Sequence, residues 1–191
     1  MGDYRRAYVP GGMFFLTVVT NFRRPFLTSE LARRVLRSAL LKTQAEHPFT
    51  IEAIVLMPDH FHTIWQLPEG DSGYSLRDRL VKARFTHEFL AAGALEGGRS
   101  KSRMKKRERS VWQRRFYEHV VRDERDFERI CNYIHFNPVK HGHAACPHAW
   151  PYSSFARLVN AHKYEPNWLC TCHGRPQPPV DFDDIADVAG E

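Results

Sequence analysis

Hydrophobic and polar positions along this chain fall into blocks that switch between a period of two and a period near 3.6, which separates strands from helices. Residues 13–20 (MFFLTVVT) are β-branched and aromatic and follow the Gly11-Gly12 break, so they predict a buried strand. Ser29 offers an N-cap ahead of residues 30–46, where Leu31, Val35, Leu36, Ala39 and Leu40 recur at helical spacing before Pro48 ends the segment. Residues 50–57 and 60–67 predict two more strands, joined as a hairpin through Pro58-Asp59. A second helix is expected from a Ser75 cap to Ala92, burying Leu76, Leu80, Ala83 and Phe89, and the pattern then breaks over 93–110. A short strand over 116–121 and a third helix over 124–137, stopped at Pro138, complete the regular part. Beyond Trp150 the chain reads as irregular. This order predicts an α+β fold: a ferredoxin-like split βαβ arrangement with an antiparallel sheet and an appended helix.

Alternation in the third strand puts His60, His62, Ile64 and Gln66 on one face and Phe61, Thr63, Trp65 and Leu67 on the other. Phe61 and Trp65 are expected in the core, with the histidines opposite. Two neutral imidazoles on one face can hold a divalent cation, although such a pair is also common as plain polar surface. In the third helix Tyr133 and Asn137 are four residues apart and share a face. Tyr133 can serve as a nucleophile if a cation favours the phenolate over a phenol of pKa ~10, with the Asn137 amide oxygen as a third ligand. The alternative is a core aromatic and a residue that ends a helix. Taken together, the four residues suit breaking and rejoining single-stranded DNA.

Charge adds a partner. The chain carries 28 Lys and Arg against 22 Asp and Glu, a formal +6, but residues 174–191 hold five acids and only Arg175, so residues 1–173 carry +10. Such a body favours a polyanion. Residues 99–115 hold nine bases and one acid. Lys105, Lys106, Arg107, Arg114 and Arg115 are therefore candidate phosphate contacts, joined by Arg5 and Arg6 near the N-terminus and by Lys140, with Trp112, Phe116 and Tyr117 as candidate base-stacking groups. The expected organisation is one domain over 1–160, with a basic insertion near 97–110, and an irregular, flexible tail over 161–191 whose acids can compete with DNA for the basic face. No run approaches the ~18 apolar residues of a membrane span, so a cytoplasmic protein with no membrane partner is expected. The cysteines Cys131, Cys146, Cys170 and Cys172 are expected as thiols. Cys170-Thr171-Cys172-His173 lacks a second pair at finger-like spacing, so no structural zinc is expected, and His141 and His143 are expected at phosphate or solvent.

Several stretches together carry a resemblance: Tyr4-Arg5-Arg6 before Gly11-Gly12, Met57-Pro58-Asp59-His60-Phe61-His62, Val111-Trp112-Gln113-Arg114-Arg115-Phe116-Tyr117-Glu118-His119, Tyr133-Ile134-His135-Phe136-Asn137-Pro138-Val139-Lys140-His141-Gly142, and Trp150-Pro151-Tyr152-Ser153-Ser154-Phe155. In this order and spacing the chain resembles, over residues 3–160, the REP-associated tyrosine transposases, relatives of the single-tyrosine HUH transposases of small insertion sequences. The basic run near residue 100 is longer than compact members carry. The resemblance implies His60 and His62 as paired metal ligands, Asn137 as the third, Tyr133 as the nucleophile and Mg²⁺ or Mn²⁺ as cofactor. It implies single-stranded DNA hairpins, REP-like palindromes, as substrate, cleavage through a 5′-phosphotyrosyl intermediate that a 3′-OH can reverse, and a monomer. Two alternatives remain: a domesticated, sequence-specific hairpin-binding protein without cleavage, and a metal nuclease that uses water.

Overall fold

The computed structural model describes residues 7–172 together with Val180, Phe182, Ile185 and Ala189. Its elements run β1 (Met13–Val19), α1 (Glu30–Glu46), β2 (Thr50–Leu56), β3 (His60–Gln66), α2 (Tyr74–Ala91), α3 (Lys101–Lys105), β4 (Tyr117–Val121), α4 (Glu124–Lys140) and α5 (Phe155–Asn160). The four strands form one antiparallel sheet in the order β2-β3-β1-β4. This is the expected split βαβ topology. No helix among the described residues is long and apolar enough to cross a membrane.

The sheet is covered on both faces, so strand alternation sorts side chains into two cores. Phe14, Leu16, Val18, Phe61 and Trp65 pack with Val35, Leu36 and Ala39 of α1 and Val81 and Phe85 of α2. Phe15, Ala53, Val55 and Ile64 pack instead with Ile130, Tyr133 and Ile134 of α4. Ser29 caps α1 as expected, its hydroxyl accepting from the Ala32 amide at 3.3 Å.

The second helix is rotated from its expected face. It starts at Tyr74 after a Gly73 cap, and it buries Tyr74, Arg77, Asp78, Val81, Phe85 and Phe89, while Leu76 and Ala83 are exposed. The cause is Arg77, whose guanidinium donates to both Asp71 carboxylate oxygens (3.1 and 2.6 Å) and to the carbonyls of His47 (3.2 Å) and Pro48 (2.8 Å). A buried cation with this many acceptors fastens the end of α1 to the loop before α2, and removing one partner of such a pair typically costs ~3–5 kcal/mol.

Two further expectations are corrected. The third helix does not stop at Pro138 but runs to Lys140. The ring removes the donor that would meet the Ile134 carbonyl, yet the next turn still closes through His141 N–H to the Asn137 carbonyl at 3.0 Å. The chain after Trp150 is not wholly irregular: residues 152–154 lie along β2, with the Leu56 amide donating to the Tyr152 carbonyl and the Ser154 amide to that of Ile54, both at 2.8 Å, before α5 begins. That segment covers a sheet edge that would otherwise present unpaired backbone groups.

α4 is fixed at its start and its middle. Asp123 caps it by accepting from the Asp126 amide at 2.8 Å, and the Asp126 carboxylate bonds His119 of β4 at 2.8 Å. Burial would raise the Asp126 pKa, but bonds from Arg122 and His119 outweigh it and bring the group to about 2. Midway along, His135 is buried with Nε2 2.9 Å from Ser154 Oγ, and Ser154 Oγ accepts from the β2 amide of Ile54 at 2.9 Å.

Burial pushes the His135 pKa down from the ordinary 6.5 to about 4. Below about pH 6.5 the unfolded chain takes up a proton that the folded chain refuses until about pH 4. Its stabilising contribution is thus complete above pH 6.5 and lost between there and pH 4, amounting to about 3 kcal/mol. Urea midpoints of the wild type should fall across this window more steeply than those of His135→Gln, whereas loss from Asp126 begins only below its ordinary 3.8. Parallel curves for the two proteins between pH 6.5 and 4 would refute the assignment.

Candidate active site

The pairing of β1 with β3 sets Thr17 opposite His62 and Val19 opposite His60. Thr17 Oγ1 lies 2.9 Å from His62 Nδ1, and the Asp59 carboxylate lies 2.7 Å from His60 Nδ1. With Nδ1 of each ring engaged, a metal would be ligated through Nε2, the arrangement in which an outer partner fixes tautomer and ring orientation. The ring centroids are 4.7 Å apart. Burial would raise the Asp59 pKa, but the bond and charge of His60 and of Arg23, whose Nη1 is 3.1 Å away, bring it down to about 2. Asp59 is therefore ionised at any working pH.

Across from the histidines, α4 presents Tyr133 with its ring 5.3 Å from that of His62 and 6.1 Å from Phe15. Asn137 follows one turn later on the same face and is fully buried. Lys140 sets its ammonium 5.0 Å from the Tyr133 ring centroid, and His141 places its ring 5.8 Å from His60. Two imidazoles and an amide oxygen are donors of the kind that hold a divalent cation and leave coordination positions for phosphate oxygens and water, so the residues fit such an ion. Tyr133 is 0% exposed, and Phe182 packs 5.9 Å from its ring, with Ile185 and Ala189 buried in the same cluster.

The basic segment is tied to the same end of the sheet as His60. The Gln113 amide donates to the Val19 carbonyl at 2.9 Å, Thr20 bridges Trp112, and the Asn21 amide donates to the Val111 carbonyl at 2.8 Å. Lys105, Lys106, Arg107, Arg114 and Arg115 are all exposed, although Arg114 already meets Glu108 at 2.6 Å and Ser102 at 2.9 Å. Arg103 acts internally, donating to the carbonyls of Arg109 (2.7 Å) and Trp112 (3.0 Å). The expected stacking platform is corrected: Trp112 and Phe116 are buried, Trp112 against Phe85 at 4.9 Å, and of the three only Tyr117 reaches the surface. Arg5, Arg6 and the tail acids Asp181, Asp183, Asp184, Asp187 and Glu191 lie outside the described residues.

The structure brings His60, His62, Tyr133, Asn137 and Lys140, all named from the sequence, to one place, and adds Thr17, Arg23 and the bond from Asp59, which the sequence did not single out. Asp59 had a signal, an acid directly before the first histidine. Thr17 had none without the strand register.

The IS200-like transposase family model matches residues 10–137. The chain is 39% identical to the REP-associated tyrosine transposase of Escherichia coli K12 over 88% of its length and 91% of the relative's. It is 41% identical to a Haemophilus influenzae protein assigned to the same group, over 88% and 93% of the two chains. The solved structure of a REP-associated tyrosine transposase bound to a REP hairpin superposes with a TM-score of 0.74 at 36% identity, covering 95% of this chain and 99% of that one. A sheet that carries a supported histidine pair against a buried helical tyrosine, and sequence identity of this extent, place the chain in the IS200-like transposase family, among the REP-associated tyrosine transposases.

Proposed function

We propose that this transposase binds single-stranded REP-type DNA hairpins and cleaves and rejoins them through a 5′-phosphotyrosyl intermediate on Tyr133. The observation that carries this reading is the seat of Tyr133, 5.3 Å from His62 and beneath Lys140, within one chain. Because nucleophile and histidine pair come from the same polypeptide, the site is complete in a monomer. His60, His62 and Asn137 would hold Mg²⁺ or Mn²⁺, which when bound polarises the scissile phosphate. Tyr133 Oη gives up its proton to solvent and forms a bond to phosphorus as the P–O3′ bond breaks, leaving the 5′ phosphate on the enzyme while the departing 3′ oxygen takes up a proton to become a free 3′-OH. Attack by a 3′-OH on the phosphotyrosine reverses the step and joins strands with no energy source besides the retained phosphoester. The Lys140 ammonium beside the ring favours the phenolate and draws the phosphate to it. The exposed bases of 105–107 and 114–115, at the same sheet end, track the DNA backbone.

One observation favours the second reading, a hairpin-binding protein that does not cut: Tyr133 is buried with Phe182 against it. A hydroxyl so covered reaches phosphorus only when the Phe182 ring moves aside.

Incubating the protein with a labelled single-stranded hairpin and Mn²⁺ should give a covalent protein–DNA band on a denaturing gel, and Tyr133→Phe should abolish the band while keeping hairpin affinity. Cleavage that survives Tyr133→Phe would establish hydrolysis by water, and binding without any cleavage would establish the second reading. Asp59→Asn removes the carboxylate behind His60 and should raise the metal concentration needed for half-maximal cleavage by about 10–100-fold; an unchanged metal titration would disprove that role. Phe182→Ala should speed adduct formation by the wild-type tyrosine, and an unaltered rate would show that this ring is no barrier.

A further inference from the structure

We propose that Cys146, His148, Cys170 and Cys172 form a structural zinc site that fastens residues 170–172 to the turn following α4. Their ligand atoms all lie within 4.8 Å of one another. A tetrahedral zinc with bonds of ~2.3 Å to sulfur and ~2.0–2.1 Å to nitrogen puts its donors roughly 3.4–3.8 Å apart, so modest rotamer changes close the set. Two short turns each supply two donors: Cys146-Pro147-His148 in the 3-10 turn Pro147–Ala149, and Cys170-Thr171-Cys172.

One side-chain bond already joins the two turns, and backbone bonds close each of them. The Thr171 hydroxyl donates to the Ala145 carbonyl at 2.9 Å, the Ala149 amide closes onto the Cys146 carbonyl at 3.1 Å, and the Cys170 amide onto that of Asn167 at 3.1 Å. The Cys172 amide points at Cys170 Sγ at 3.3 Å, the kind of N–H to sulfur contact that supports a thiolate. Cys146 Sγ and Cys172 Sγ are 2.6 Å apart, inside ordinary contact distance for two sulfurs. Cys146 and Cys170 are buried, Cys172 is half-buried and His148 is exposed, which leaves an entry path from solvent.

Three thiolates and an imidazole select zinc over the hard cations suited to His60, His62 and Asn137. The site closes a loop between residues 146–148 and residues 170–172. Finger-like spacing does not reveal it, because 21 residues separate the two pairs.

The test is zinc content of tag-free protein purified under reducing conditions without added metal, released by denaturation into a chromogenic chelator, together with cobalt substitution. About one zinc per chain and a sulfur-to-cobalt charge-transfer band are expected. Both should vanish in Cys170→Ser/Cys172→Ser and persist in His60→Ala/His62→Ala. His148→Ala, at an exposed position that the fold does not need, should lose zinc to a competing chelator more than about tenfold faster, since loss of an outer-shell partner alone brings that much. Wild-type protein without zinc, zinc retained by the double cysteine variant, or a Cys146–Cys172 disulfide in the reduced preparation would each overturn the proposal.

Discussion

The antiparallel register of β1 on β3 is the constraint from which the site follows. Phe14 sits opposite Trp65, Leu16 opposite Thr63 and Val18 opposite Phe61, which packs both strands' apolar faces against α1 and α2. The intervening pairs, Thr17 with His62 and Val19 with His60, must then face α4. A slip by one residue would drive both imidazoles into the aromatic core and turn Phe61 toward Tyr133, so the apolar packing that holds the fold also aims the histidines. The Thr17–His62 bond adds direction within a position that hydrophobic burial has already chosen.

α4 has to be placed with equal accuracy, and polar contacts rather than bulk packing do much of this. Its first turn is tied to β4 through Asp126 and His119, and its middle to β2 through His135 and Ser154. Between and beyond these two points lie Tyr133 and Asn137. The His135–Ser154 bond is buried, so its loss leaves a partner unsatisfied, a penalty of roughly 1–3 kcal/mol that disfavours sliding of the helix along the sheet. Helix placement and histidine orientation are thus set from opposite faces of the same sheet.

This division explains what the sequence made legible. The strands, α1 and the face shared by His60 and His62 follow from local periods of 2 and 3.6, as does the sharing of one helical face by Tyr133 and Asn137. α2 failed that rule because Arg77 is buried by acceptors on Asp71, His47 and Pro48, residues that periodicity cannot associate with it. Trp112 and Phe116, embedded among bases, looked like a stacking surface, yet strand-like bonding of 111–113 to the end of β1 turns Trp112 into the core. Thr17 and the cysteine pairs are invisible locally for the same reason. Their partners lie 45 and more than 20 residues away in the chain, and only the register and the turn after α4 bring them close.

Charge links the site to the DNA it is proposed to cut. The carboxylate beside the histidine pair, Asp59, sits behind His60 and is matched by Arg23, so the proposed donors themselves, His60, His62 and Asn137, include no carboxylate. On the proposed reading such donors do little to offset the charge of a divalent cation, and a phosphate oxygen is the natural complement. Metal and DNA then bind with mutual reinforcement, each raising the other's affinity by the same factor. On the same reading the exposed bases tied to this end of the sheet would act at longer range and fall off with salt, gathering the strand without selecting its scissile bond. Selection of that bond would then fall to the short-range geometry between His62 and Tyr133, which the strand register and the ties of α4 hold in place.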